Sequence, residues 1–278
     1  MNSSLEPRPS SSPKPGDIVE MGAHRLLVGD CRDAAAVARL VGGDKVDLIA
    51  TDPPYGCAAV ESKASLGHAL KASKPILGDQ LQSDSEYRAF TAAWLNAVAP
   101  HLARKNSCYV FNSDKMVFPL RDGMADAGFR ISQLLVWVKS QPVMGRLDYI
   151  PQHELIAYGW RGKHAFRRSK DKSVLFHPKP ASSPFHPSTK PIPLVMRLVL
   201  NSSPIGGVVY DCFLGSGTTL LACEKSGRRC LAVEADPEHC ATAIWRWERM
   251  TGSKAIITSS DIMAKKPVPP SHEAGCPG

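Results

Sequence analysis

The sequence predicts an α/β fold built on a mostly parallel, doubly wound sheet, and three observations carry that expectation. Short apolar runs of strand length, such as Val46 to Ala50, Val208 to Tyr210 and Arg229 to Glu234, recur along the chain. Stretches with helical period separate them, Phe90, Trp94, Leu95, Val98 and Leu102 forming one apolar face. Two of the apolar runs also end in unusual turns, Thr51-Asp52-Pro53-Pro54-Tyr55-Gly56 and Asp211-Cys212-Phe213-Leu214-Gly215-Ser216-Gly217. In open α/β sheets, ligands bind beyond the carboxyl ends of the strands, so both turns are placed where a site belongs.

In order, residues 1 to 16 hold five serines and four prolines with almost nothing apolar, and are expected to be a disordered tail. His24 to Val28 reads as a strand ending at Gly29-Asp30, and Ala34 to Leu40 as a helix. Val46 to Ala50 reads as a buried parallel strand. Residues 56 to 78 show neither period and carry three glycines, so a long functional loop is expected, with Lys63 among its lysines. A helix capped by Asp84 or Ser85 follows, then a strand from Ser107 to Phe111, a helix from Met116 to Ala127, and strands from Ile131 to Val138 and His153 to Tyr158. A helix near Pro193 leads to the strand at Val208. The helix from Thr218 to about Ser226 stops at Gly227, and Asp236-Pro237-Glu238 starts another that ends at Gly252. Residues 253 to 278, rich in proline near their end, are expected to be a flexible tail.

Composition narrows the function classes. The 278 residues carry 34 basic and 26 acidic side chains, a net charge of +8 and a pI of about 9.1, a balance that suits a polyanionic partner. The eight cysteines, at 31, 57, 108, 212, 223, 230, 240 and 276, form no Cys-x-x-Cys pair, so they are expected to be reduced, buried small hydrophobes, with no metal. No stretch reaches the roughly 18 apolar residues of a membrane span, so no membrane partner is expected.

At the first turn, Pro53 keeps a carbonyl while lacking an N–H, and Asp52 adds a carboxylate. Two acceptors beside the flat ring of Tyr55 would suit an amine, although Asp, Pro and Gly also make ordinary turns. At the second, Gly215 and Gly217 allow close approach to the backbone, and a helix N-terminus follows. Glu234 lies 234 − 215 = 19 residues past the first glycine, near the spacing of about 20 at which an acid meets ribose hydroxyls in nucleoside-binding βαβ units.

Asp-Pro-Pro-Tyr at 52 to 55 and Phe-x-Gly-x-Gly at 213 to 217, in that order, resemble the permuted β class of amino-group DNA methyltransferases that use S-adenosylmethionine. Leu27-Val28-Gly29-Asp30-Cys31, His153-Glu154 and His186-Pro-Ser-Thr-Lys-Pro191 fit the same pattern, so the resemblance spans about residues 17 to 252. Cys212 departs from the usual proline and Ser188-Thr189 from the usual threonine and polar residue. The resemblance implies a catalytic half over 17–158, a small target-recognition insertion over about 159–185 and a cofactor half over about 186–252. It implies catalysis by Asp52, Pro53, Pro54 and Tyr55. Cofactor contacts are expected from Asp30, Cys31, Asp52, Lys190, Asp211, Phe213, Gly215, Ser216, Gly217, Thr218, Thr219 and Glu234. For Asp30, a helix cap is the equal alternative. Lys190 is expected at the cofactor's carboxylate.

Arg161, Lys163, Arg167, Arg168, Lys170 and Lys172, with Phe166 among them and Asp171 the sole acid, fall in the target-recognition slot and are expected to track DNA phosphates with Lys63. The alternative is a solvated basic loop. The implied reaction is methylation of the N6 amine of an adenine flipped out of double-stranded DNA, with cytosine N4 as runner-up and an idle DNA-binding module as the rival outside the class. A nucleotide-binding oxidoreductase would want a third glycine at 220, where Leu220 stands. The resemblance further implies a cytoplasmic, bacterial or phage-encoded protein of a restriction-modification type and allows a homodimer.

Overall fold

In the computed structural model, residues 13–56, 80, 82–142, 148–168, 170–178 and 189–258 are described. The expectations for residues 1–12, for most of the loop behind Tyr55 with Lys63, and for 259–278 lie outside them. The strands are β1 (Ile18–Met21), β2 (His24–Val28), β3 (Val46–Thr51), β4 (Leu102–Asn112), β5 (Arg130–Val138), β6 (His153–Trp160), β7 (Lys163–His164), β8 (Val174–Phe176), β9 (Val208–Asp211), β10 (Arg229–Glu234) and β11 (Ile256–Thr258). The helices are α1 (Ala34–Val41), α2 (Asp84–Val98), α3 (Val117–Asp126), α4 (Ile192–Ser202), α5 (Thr218–Ser226) and α6 (Pro237–Thr251).

The sheet order is β11-β1-β2-β10-β9-β3-β4-β6-β5-β8. From β2 through β4 the neighbours are parallel, whereas β6 runs antiparallel to both β4 and β5. The apolar runs explain this, since Leu48, Ile49, Val209, Tyr210, Leu231 and Val233 are all buried and need cover on both faces. Two cores supply it. One face packs against α4, α5 and α6 through Leu194, Leu198, Leu221, Ala243 and Trp247, the other against α1, α2 and α3 through Val37, Leu40, Trp94, Leu120 and Met124. The expected doubly wound, mostly parallel α/β fold is therefore present.

Local chemistry sets the helix ends. Asp33, not Asp30, caps α1 by accepting from the Ala35 and Ala36 N–H groups. Ser83, not Asp84 or Ser85, caps α2 in a reciprocal box with Glu86. Leu102 leaves the apolar face expected of that helix and begins β4. The segment expected to be a flexible tail from 253 begins with a strand, because Ile256 to Thr258 pair antiparallel with β1 and complete that sheet edge. The described cysteines, 31, 108, 212, 223, 230 and 240, are free and buried.

Candidate active site

The central position belongs to β3. Its neighbours are β9, which leads the sheet toward β10 and β2, and β4, which leads the other way, so β3 and β9 flank the point where strand order reverses. Their carboxyl ends are joined by the Thr51 hydroxyl, which donates to Asp211 Oδ1 at 2.7 Å. Asp52 and the glycine turn therefore share one edge, although some 160 residues separate them in the chain. Burial pushes the Asp211 carboxyl up to about 6, held back by hydroxyls of Thr219 and Thr51 and by the Phe213 N–H.

Asp52 sits in a cluster of ionised groups. Its Oδ1 accepts from the Tyr55 hydroxyl at 2.8 Å, and its Oδ2 pairs with the Lys190 ammonium. Glu154, from the start of β6, accepts from the same Tyr55 hydroxyl at 3.1 Å and lies 3.2 Å from Lys190 Nζ. Lys139, just past β5, pairs with the other Glu154 oxygen at 2.7 Å. The two ammoniums also lie over aromatic rings, Lys190 over Phe111 and Tyr55 and Lys139 over Trp137. Burial raises Asp52 above the ordinary carboxylate range, against the pull of Lys190 and with a further push from Glu154. At Glu154 burial also raises, but Lys190 and Lys139 together outweigh it and bring that carboxyl down to about 2. Burial and the two carboxylates push the Tyr55 hydroxyl well above its ordinary range, so it remains a donor.

The glycine turn is shaped by two different needs. A side chain on Gly215 would meet open space, and its φ of 54° requires glycine or a rare L conformation. Gly217 differs. A Cβ there would stand 2.9 Å from Ala243 Cβ, so this glycine lets α5 approach α6. Glu234 Oε2 accepts from the Gly215 N–H at 2.7 Å and Oε1 from the Asp236 N–H at 2.9 Å, which pins the acid under the turn. Ser216 lies 3.3 Å from the Thr189 hydroxyl, and Thr218 Oγ1 donates to the Lys190 carbonyl at 3.4 Å. Phe213 packs on Phe90 and edge-on to Trp94.

Among the expected site residues, Asp52, Tyr55, Lys190, Asp211 and the 215–219 turn are thus brought together, with Glu234 beside them. Pro53 is buried and Pro54 half-buried at the same edge. The Lys190 backbone meets the turn, and its ammonium pairs with Asp52 and Glu154. Asp30 is exposed and holds Arg32 through both carboxylate oxygens, while Cys31 is buried. Sequence reasoning missed Lys139, the place of Glu154 beside Asp52, and Arg246, which clamps the turn by donating to the Ser216 carbonyl at 2.5 Å and its hydroxyl at 3.0 Å.

The basic stretch is not brought to this edge. Glu154 opens β6 beside Asp52, and the strand then runs six residues away, ~20 Å of extended chain, before Trp160. Arg161 follows there, Lys163 pairs with Lys105 near the start of β4, and the Arg167 N–H donates to the Asn201 carbonyl near the far end of α4. The antiparallel sense of β6 is the physical reason. Lys170 and Lys172 lie exposed where the chain turns back, and Asp171 between them is bound by Arg197 and Asn201. A DNA duplex is long enough to reach past this edge, so replacing Arg167 and Arg168 by alanine is expected to lower the salt slope of DNA binding by about one unit per lost phosphate contact in a fluorescence-anisotropy series. A parental slope would return the stretch to the solvated-loop reading.

The DNA methylase family of the N6/N4 amino type matches residues 46–244. Type II methyltransferase M2.DpnII of Streptococcus pneumoniae is 23% identical over 224 residues, covering 74% of this chain and 83% of that protein. Type II methyltransferase M.HinfI of Haemophilus influenzae is 23% identical over 274 residues, covering 88% and 74%. Among solved structures, the M1.HpyAVI–SAM complex aligns with a TM-score of 0.58 at 22% identity over 80% of this chain and 98% of its own. The cytosine-N4-specific PvuII DNA methyltransferase aligns at 0.59 and 17% identity over 82% and 89%. With the family match running from the strand that carries Asp52 to the helix behind the glycine turn, the chain belongs to the N6/N4 DNA methylases.

Proposed function

We propose that this DNA amino-methyltransferase acts on the exocyclic N6 amine of adenine in double-stranded DNA, with Asp52 and the Pro53 carbonyl as the amine's two acceptors. The observation that carries the reading is the joining of the Asp52 turn to the glycine turn through Thr51 and Asp211 at the strand-order reversal. S-adenosylmethionine is the cofactor, and when bound it supplies an electrophilic methyl group. Gly215, with open space on its Cα, the N-terminus of α5 and Glu234 fit a nucleoside carrying an amino acid. Glu234→Ala is expected to weaken cofactor binding roughly ten- to a hundred-fold, as loss of charged hydrogen bonds of about 1.5–3 kcal/mol implies. Calorimetry giving the parental Kd would remove Glu234 from the pocket.

An exocyclic base amine is a weak nucleophile because its lone pair is delocalised into the ring. By accepting both hydrogens, Asp52 and the Pro53 carbonyl draw the nitrogen toward tetrahedral geometry and aim its lone pair. The amine hydrogens grow acidic only as the new bond forms, so Asp52 need not be a strong base. The target atom is hidden in a duplex, and extruding the nucleotide costs about a few kcal/mol. Stacking on the Tyr55 ring offsets roughly 1–3 kcal/mol of that.

The acid that opens the motif favours adenine, since serine is more usual in that place in cytosine-amine enzymes. The deciding experiment treats unmodified DNA with enzyme and cofactor, digests it to nucleosides and identifies the product by mass spectrometry. N6-methyladenine is the expected product. N4-methylcytosine would keep the site and change the base, and methylation at cytosine C5 would reject the mechanism.

A further inference from the structure

Both Asp52 oxygens are engaged, one by the Tyr55 hydroxyl and one by Lys190. A target amine must compete for one of them, and Lys190 is the group in the way. Its side chain is only 7% exposed, so its charge cannot simply be released to water. Glu154 offers the alternative partner, with Oε2 already 3.2 Å from Lys190 Nζ and 3.1 Å from the hydroxyl that also holds Asp52. Lys139 balances Glu154 from the opposite side, so two carboxylates and two ammoniums form a neutral set. Neutrality survives if Lys190 shifts from Asp52 toward Glu154.

We propose that Glu154 is a positioning residue for the reaction, a holding acceptor that keeps Lys190 and the Tyr55 hydroxyl in place while Asp52 gives an oxygen to the target amine. The inference rests on the amine-acceptor role given to Asp52 above and deepens it. The Glu154 carboxylate contacts Lys139, Lys190 and Tyr55, so its charge is spent on groups that touch or support Asp52. The charged groups facing Asp52 are Lys190 from just before α4, Glu154 from β6 and Asp211 from β9, with Lys139 one step behind, just past β5, and the Tyr55 hydroxyl alongside. Removing the Glu154 charge leaves Lys190 with Asp52 alone. The pair then tightens, and the amine meets an occupied acceptor.

The test is Glu154→Gln, which keeps the size and one acceptor oxygen of the side chain. Turnover is expected to fall roughly 10- to 100-fold, the scale of a misplaced reacting group, with Kd for DNA and for S-adenosylmethionine near parental. The acid limb of the kcat–pH profile should move to lower pH, because Asp52 loses a neighbouring negative charge and keeps its ammonium. Tyr55→Phe should move the limb the other way, since it removes a hydrogen bond that favours the charged Asp52. A merely structural Glu154 would lower the melting temperature and leave the limb where it was. Parental turnover in Glu154→Gln, or slow turnover with an unmoved limb, overturns the inference while a methylating parent upholds the Asp52 reading. If Glu154→Gln does not fold, Glu154→Asp decides: it keeps the charge but draws the carboxylate back from Lys190 and the Tyr55 hydroxyl, so lower turnover at parental Kd supports the holding role and parental turnover overturns it. A parent that transfers no methyl to unmodified DNA would sink both.

Discussion

Asp52→Ala is expected to lower methyl incorporation about a thousand-fold or more while the protein stays folded and binds S-adenosylmethionine with near-parental affinity. The asymmetry follows from where the groups lie. In the proposed mechanism the carboxylate acts on the amine in the transition state, which would make its loss a loss of turnover. The proposed cofactor groups, Gly215, the α5 N-terminus and Glu234, lie in the turn after β9, at the start of α5 and at the end of β10, and none of them hydrogen-bonds Asp52. Folding is protected because Lys190 retains Glu154 when Asp52 is removed. Asp52→Asn keeps a carbonyl acceptor and should retain trace activity. The measurement is radiolabelled methyl incorporation with a cofactor isotherm for each variant. Near-parental turnover by Asp52→Ala would reject the amine-acceptor mechanism.

Much of this arrangement is legible in the sequence because it depends on local signals. The Asp-Pro-Pro-Tyr turn, the glycine turn and the Asp236-Pro237 helix start each declare themselves within a few residues, and α5 and β10 fall where glycine and apolar period put them. What could not be read depends on pairing between distant strands. Lys139 looks like the solvated residue after a strand. It is buried because β5 pairs antiparallel with β6, with Val138 opposite His153, which brings its ammonium to Glu154. The same antiparallel run sets the basic stretch away from the Asp52 edge: composition showed the charges, but the direction of β6 decided where along the sheet they stand. The edge strand β11 was hidden for a similar reason, since Ile256 and its neighbours gain their order from β1, more than two hundred residues earlier.

Lys190→Met should be the most destabilising single change at the site, by about 3 kcal/mol or more, because removing one partner of a buried pair leaves its charge uncompensated. Here one ammonium serves two carboxylates, Asp52 and Glu154, whose side chains are 25% and 18% exposed, and Lys139 alone would remain to face them. The pH dependence distinguishes this cause from lost packing of the lysine stem. In the parent, Glu154 is held down at about 2 against an ordinary 4.5, so its contribution is complete above pH 4.5 and is lost only as pH falls toward 2. Asp52 has the opposite sign: burial has raised it, so ionising it weighs against folding as pH rises above 3.8. Without Lys190 both carboxyls rise, and protonating them becomes the way to relieve the buried charge. The melting-temperature deficit of Lys190→Met should therefore be largest near pH 7.5 and shrink steadily toward pH 5. A deficit of equal size across that range would assign the loss to packing and remove Lys190 from the electrostatic account of the site.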